Sequence, residues 1–285
     1  MRLPFTKMHG LGNDFVVLDG VSRTLPALAP YARFLCDRRF GIGCDQLLVV
    51  LPARDPTCDL RMQIFNADGS EVEMCGNGIR CFARYVAARG LTAKQEIRVE
   101  TGAGVIVPRL AGERVRVDMG RPRLAGPEIP VASDEAVVIA HPLTVAGEVH
   151  RFTCVSMGNP HGVCFVKRVA EVDLPRLGPA AEHHPFFPRR ANIEFVEVVA
   201  PDEVRVRVWE RGAGETLACG TGAAAVCVAG VLEGRTERDL TVHLPGGDLQ
   251  LAWSEVDDHV TMTGPTAEVF TGEIDLQAAP RAATR

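Results

Sequence analysis

The sequence predicts a mixed α/β (α+β) protein made of one domain duplicated, each copy a strongly curved sheet wrapped round a single helix. Three observations predict it. The phrase Cys-Gly-X-Gly occurs twice, at Cys75-Gly76-Asn77-Gly78 and Cys219-Gly220-Thr221-Gly222. The residues around the two phrases recur in one register, the signature of an internal repeat. Each phrase leads into an apolar segment, and stretches of alternating apolar and polar residues surround both.

Length and composition bound this picture. A chain of 285 residues with 46% hydrophobic content can fill two cores and needs no disulfide or metal staple. A net charge of -5 offers no basic field for nucleic acid, and no polybasic block marks a membrane surface, so neither partner is expected. The nine cysteines are an odd number in a chain too large for a disulfide scaffold. The opening MRLPFTKMHG has no signal-peptide pattern, and the longest apolar stretch, Ala223 to Leu232, is too short to span a bilayer. These features point to a cytoplasmic protein with free thiols.

The repeat sets the domain boundaries. A polar residue, Asn66 or Glu210, stands nine residues before each cysteine, an aromatic, Phe65 or Trp209, precedes it, and Glu71 and Glu215 each lie four residues before the thiol. Upstream, Gly12-Asn13 matches Gly158-Asn159, and Gln46 matches Asn192; downstream, Val117 to Pro122 matches Val260 to Pro265. Chance does not readily give so many matches in one register. Residues 1–120 are read as the N-terminal half carrying Cys75 and 121–265 as the C-terminal half carrying Cys219. A returning strand within 266–285, around Val269 to Asp275, rejoins the first half, and the Ala-rich tail after Leu276 is expected to be loose. The crossover near Arg121 to Pro130 carries three prolines.

The elements follow in order. Helices are expected over Ile79 to Arg89, stopped by Gly90, and over Ala223 to Leu232, stopped by Gly234. The second is apolar all round, as a buried helix is. Alternation marks strands at Ile97 and Val99, Val115 and Val117, Leu249 to Trp253, and Val260 to Met262; Pro245-Gly246-Gly247 and Asp257-Asp258-His259 are turns.

A thiol at a helix start has defined chemistry. The glycines let a ligand approach the backbone, and the first N–H groups of a helix are free to bind an anion. The same partial positive charge lowers a thiol pKa. Two such helices aimed at one carboxylate would set a sulfur on each face of the carbon that bears it. One thiolate could then remove an α-proton while the other thiol returns one to the opposite face, as in a racemase or epimerase. Glu210-Arg211, an adjacent charge pair ahead of the second turn, suits a zwitterionic substrate. His161, two residues after Asn159, is placed either to influence a thiol or to serve a structural role. Cys36, Cys58, Cys154, Cys164 and Cys227 are read as core residues, and His183-His184 as a solvated loop. No C-x-x-C or H-E-x-x-H motif occurs, so no metal is expected.

The stretches MHGLGNDFVVLDG at Met8 to Gly20, FGIGCDQLLVV at Phe40 to Val50, FNADGSEVEMCGNGIRCFARYV at Phe65 to Val86, VSMGNPHGV at Val155 to Val163 and RVWERGAGETLACGTGAAA at Arg207 to Ala225 resemble the diaminopimelate epimerases. The resemblance implies two pseudo-symmetric, barrel-like halves, a homodimer, and interconversion of LL- and meso-2,6-diaminoheptanedioate for lysine and peptidoglycan precursor synthesis, with no cofactor. It implies that Cys75 and Cys219 are the catalytic acid and base in a cleft between the halves. Asn13, Gln46, Asn66, Gly76, Asn77, Asn159, Asn192, Glu210, Arg211, Gly220 and Thr221 would bind the diamino-dicarboxylate, and His161 and Glu210 would tune the thiols. Cys44 and Phe270 depart from residues common in the family, Phe270 replacing a tyrosine linked in some members to dimer formation. Proline and hydroxyproline racemases share the paired-cysteine plan but typically have a histidine where this chain has Asn77. A reading of another class is a non-catalytic, two-lobed amino-acid-binding protein with a redox-sensitive thiol pair.

Overall fold

The computed structural model describes residues 1–278, so the end of the returning segment and the Ala-rich tail lie largely outside the described residues. The chain divides into two compact units, one of residues 1–117 together with 264 onward, the other of residues 118–263. Before the crossover come β1 (Arg2–Gly10), β2 (Asn13–Asp19), α1 (Ala32–Cys36), β3 (Gln46–Pro52), β4 (Leu60–Asn66), β5 (Glu71–Val72), α2 (Gly76–Ala88), β6 (Val99–Thr101), β7 (Gly104–Ile106), β8 (Arg109–Ala111) and β9 (Arg114–Asp118). After it come β10 (His141–Val145), β11 (Glu148–Ser156), β12 (Pro160–Phe165), α3 (Leu174–Glu182), β13 (Asn192–Ala200), β14 (Glu203–Glu210), β15 (Gly214–Thr216), α4 (Gly220–Leu232), β16 (Asp239–Leu244), β17 (Gly247–Trp253) and β18 (Val260–Pro265). The chain then returns to the first unit as β19 (Ala267–Asp275).

The fold is a duplication. The first unit orders its strands β19-β1-β2-β3-β4-β6-β7 with β5 on β4; the second runs β10-β11-β12-β13-β14-β16-β17-β18 with β15 on β14. Parallel pairings fall at the same places, β2 with β3 and β4 with β6, then β12 with β13 and β14 with β16. The registers also repeat. Phe15 lies opposite Gln46 as His161 lies opposite Asn192, and Phe65 lies opposite Glu71 as Trp209 lies opposite Glu215. Strand β19 occupies in the first unit the position that β10 occupies in the second.

Each sheet bends round its thiol-bearing helix. Helix α4 packs on β11, β12, β13, β16 and β17, and α2 packs on β1, β2 and β3. In the second unit β11 and β17 lie five places apart in the sheet, and strands so far apart can reach one helix only if the sheet curls. The opposite faces are covered too, by apolar clusters around α1 and around α3 with Phe152, Phe186, Phe187 and Phe195. Burial on both faces explains why Phe15 to Leu18 and Leu47 to Val50 read as unbroken apolar runs and are buried throughout.

Both helices begin three residues earlier than the apolar segments suggest, at Gly76 and Gly220. Cys75 and Cys219 are extended residues at the N-cap positions, and first-turn N–H groups need no intrahelical partner, so glycine is tolerated there. The far ends close alike. Gly90 and Gly234 adopt left-handed φ of 68° and 65°, with Leu91 N–H to Val86 O and Arg235 N–H to Gly230 O both at 2.9 Å, which is the Schellman arrangement. Helices α1 and α3 have no expectation behind them; Pro175 and Pro179 disguise α3, although proline fits a first helical turn. Ile97 lies outside β6 and bonds instead through its N–H to Pro108 O. Cys58 is only half-buried, in the loop before β4, whereas Cys36, Cys154, Cys164 and Cys227 are core residues. Among the described residues no helix is long and apolar enough to cross a membrane.

Candidate active site

In the first unit the thiol turn is held from β2 and from within α2. The tight turn before β2 puts Leu11 and Gly12 at positive φ and delivers Asn13 to the N-terminus of α2. Cys75 Sγ donates to Asn13 Oδ1 at 3.7 Å, and Asn77 Nδ2 donates to the same oxygen at 3.2 Å. Beneath them lies a fully buried guanidinium. Arg80 donates to Asn77 Oδ1 at 2.7 Å and to Gly76 O at 3.1 Å, and a side chain at Gly10 would come within 3.0 Å of it. Gln46 and Asn66, opposite each other on β3 and β4, share a hydrogen bond of 3.0 Å, and Asn66 donates on to Ser70 Oγ. Behind Asn13 a charged cluster braces the turn. Asp14 accepts both guanidinium nitrogens of Arg38 and pairs with Lys7, which also donates to Gly43 O.

The second unit has the same plan with different chemistry beneath it. Cys219 Sγ accepts from Gly222 N–H at 3.4 Å and lies 3.5 Å from Thr221 Oγ1. Asn159 Nδ2 donates to Thr221 Oγ1 at 3.3 Å, and Asn159 Oδ1 is 3.0 Å from His161 Nε2. His161 Nδ1 in turn lies 2.7 Å from Glu194 Oε1, and both residues are fully buried. Burial, with the charges of Glu210 and Glu194, pushes the Cys219 thiol well up, outweighing Thr221 and the Gly222 N–H, which pull it down. A helix N-terminus alone suggests the opposite direction.

The Glu210-Arg211 segment is fixed from three sides. Asn192 Nδ2 donates to Pro160 O and its Oδ1 accepts Arg211 N–H at 2.9 Å. Thr216 donates to Glu210 Oε1. The buried Glu182 at the end of α3 accepts Trp209 Nε1–H at 2.9 Å and Gly212 N–H at 3.0 Å, gripping the chain before and after the pair. Arg211 itself is exposed, with one nitrogen on Arg189 O.

Within the first unit the structure therefore gathers Asn13, Cys75, Gly76 and Asn77, with Gln46 and Asn66 paired on neighbouring strands. Within the second it gathers Asn159, His161, Cys219, Gly220 and Thr221, and ties Asn192 to Arg211. Arg80, Glu182 and Glu194 escape the sequence reading. Glu194 alone left a signal there, as the one acid inside the apolar run Ile193-Glu194-Phe195-Val196. Among the described residues no three His, Cys, Asp or Glu side chains are grouped to hold a metal ion.

A family model described as diaminopimelate epimerase matches residues 5–125 and 153–269. A diaminopimelate epimerase of Moorella thermoacetica is 56% identical over 278 residues, covering 95% of this chain and 99% of that protein. One from Nostoc punctiforme is 54% identical, covering 96% and 100%. Among solved structures, a Bacillus anthracis phenazine biosynthesis protein of the PhzF family superposes with a TM-score of 0.72 at 17% identity, covering 97% of this chain and 100% of that one. A hydroxyproline epimerase from Agrobacterium vitis does so with a TM-score of 0.69 at 16% identity, covering 96% and 93%. At such identities the two structures share the fold alone.

Proposed function

The chain belongs to the diaminopimelate epimerase family, and on that premise we propose that it is an isomerase interconverting LL- and meso-2,6-diaminoheptanedioate by a two-base thiol and thiolate mechanism. The observation that carries the reading is the thiol at the N-cap of a helix in each of two units with the same topology. One thiolate takes the α-proton, the other thiol returns one to the opposite face, and the reverse reaction exchanges the roles of Cys75 and Cys219.

An α-hydrogen beside a carboxylate is a very weak acid, so charge stabilisation is needed. First-turn N–H groups at Gly76-Asn77 and Gly220-Thr221 hold the reacting carboxylate, each donor contributing about 3–4 kcal/mol by analogy with oxyanion sites. Acid and base catalysis by the thiols adds roughly 10² to 10⁴ in rate. Asn13, Gln46, Asn66, Asn159, Asn192, Glu210 and Arg211 bind the rest of the substrate, with the Arg211 guanidinium on the far carboxylate. His161 and Glu210 tune the thiols.

No cofactor takes part. Of the chain's three lysines, Lys7 and Lys94 are engaged in ion pairs with Asp14 and Asp59, which argues against a Schiff-base lysine at those positions. The protein works in the cytoplasm, in lysine and peptidoglycan precursor synthesis, as a homodimer. Exposed Val269 and Phe270 on the edge strand β19 support the dimer.

The test is incubation with LL-diaminopimelate in heavy water without added cofactor. Deuterium should enter the α-position as the meso form appears, and Cys75→Ala and Cys219→Ala should each abolish epimerisation while keeping the fold. A fixed diastereomer ratio without exchange would instead support an amino-acid-binding protein. Turnover of proline or hydroxyproline in its place would point to the racemase reading.

A further inference from the structure

The duplication is broken directly beneath the thiol turns. Phe15 and His161 hold equivalent register positions, as do Leu48 and Glu194, each two residues beyond the matched Gln46 and Asn192. All four are fully buried. Under Cys75 the sheet is therefore apolar at the two places where, under Cys219, it carries an imidazole and a carboxylate. The helices are broken in the opposite sense. Five residues past its cysteine, α2 has the buried Arg80, whereas α4 has Ala224.

A buried carboxylate is costly unless it is paired, and among the described residues Glu194 is paired on one oxygen only, since Oε2 has no hydrogen-bond partner there. It presses against the first turn of α4. A Cβ built at Gly222 would lie 2.7 Å from Glu194 Oε1 and 3.3 Å from Cys219 Sγ, so oxygen and sulfur are no more than about 6 Å apart. The groups that bear on the sulfur from its own unit are Glu210 at the end of β14, Glu194 on β13 and, behind Asn159, His161 on β12. Helix α4 carries no charged residue, and β11, β16 and β17 contribute none to that set.

The two-base reading requires one thiol to enter the cycle protonated, and on that reading we propose that Glu194 is the positioning residue that makes it Cys219. The carboxylate does so in two ways. Its charge opposes a second negative charge on the sulfur within the buried interior. Its hydrogen bond also sets the His161 ring, which orients Asn159 and through it Thr221 against the sulfur. In the first unit the buried Arg80 cation, bonded to Gly76 and Asn77, favours the thiolate at Cys75.

The test is made on the full chain without substrate. Iodoacetamide alkylation is followed across a pH series, with Cys75 and Cys219 quantified separately by peptide mass spectrometry, and the midpoint rather than the absolute rate is compared. In the wild type the Cys219 midpoint should lie above that of Cys75. Glu194→Gln should lower the Cys219 midpoint by about one pH unit or more, given a unit charge at this distance, and leave Cys75 in place. Glu194→Asp, which keeps the charge, should restore most of the difference. A wild-type Cys219 midpoint at or below that of Cys75 would overturn the proposal, and so would a Glu194→Gln midpoint that is unmoved or moves together with Cys75. The wild-type comparison stands even if the variant does not fold. Because no substrate is present, failure here leaves the epimerase reading to the heavy-water experiment.

Discussion

Replacing Gly222 with alanine isolates the contact between the second thiol turn and the carboxylate beneath it. Gly222 lies in the first turn of α4 and does not need positive φ, so on helix propensity alone alanine would gain about 1 kcal/mol. The new methyl, however, would sit 2.7 Å from Glu194 Oε1, a separation that real Cβ atoms do not show. Glu194 has no exposed surface to retreat to and is anchored on His161. Overpacking costs about 1–3 kcal/mol, and displacing the charged hydrogen bond to His161 about 1.5–3 kcal/mol. The expected net loss is about 1.5–5 kcal/mol, combining those terms with the propensity gain. Gly78→Ala is the internal control, because the atoms nearest its methyl would be Cys75 Cβ, Ile64 Cδ1 and Phe15 Cε1 at 3.3–3.4 Å, and the isoleucine end can give way. That change should be close to neutral. Urea unfolding reads both, with far-UV circular dichroism for the whole chain and tryptophan fluorescence for the second unit, which holds both Trp209 and Trp253. In a Glu194→Ala background the Gly222→Ala penalty should largely disappear. A Gly222→Ala loss no greater than that of Gly78→Ala, or one undiminished without Glu194, would refute the reasoning.

Two further outcomes are expected. Burial raises the Asp14 carboxyl, but hydrogen bonds from Arg38 and Lys7 and the Lys7 charge outweigh it and hold the group well below the usual carboxylate range. Its stabilisation is therefore fully present above the unfolded pKa of about 4 and fades as pH falls toward the lower folded value. Asp14→Asn should cost about 1–2 kcal/mol at pH 7, allowing for the exposure of Arg38, and clearly less at pH 3; an equal cost in urea titrations at both would contradict it. For the dimer, sedimentation velocity should show the wild type as a dimer and Phe270→Glu as a monomer, since Phe270 is 48% exposed on an edge strand; a wild type that is monomeric at micromolar concentration counts against the assembly.

The repeat and both thiol turns were legible because their causes are local. A Cys-Gly-X-Gly phrase ahead of an apolar run, with a glycine beyond it, carries its N-cap and its Schellman close within one stretch of chain. The helix starts read late in the sequence for a similar reason, because glycine signals a breaker until the cysteine before it is recognised as the cap. Proline hid α3 in the same way, and α1 is too short to show a period.

The sequence by itself determined that there are two matched halves, that each supplies one thiol at a helix start, and which family those turns belong to. Tertiary structure alone decided what lies under each thiol. In sequence Arg80 reads as one more arginine on an amphipathic helix, and Glu194 as an acid interrupting a strand. Only the parallel register of β12 and β13, with His161 opposite Asn192, brings that acid to His161 and under the first turn of α4. Local hydrogen bonding is written in neighbouring residues, whereas much of the charge the Cys219 sulfur feels comes from Glu194, 25 positions earlier, whose burial and approach exist only once the sheet has closed round its helix.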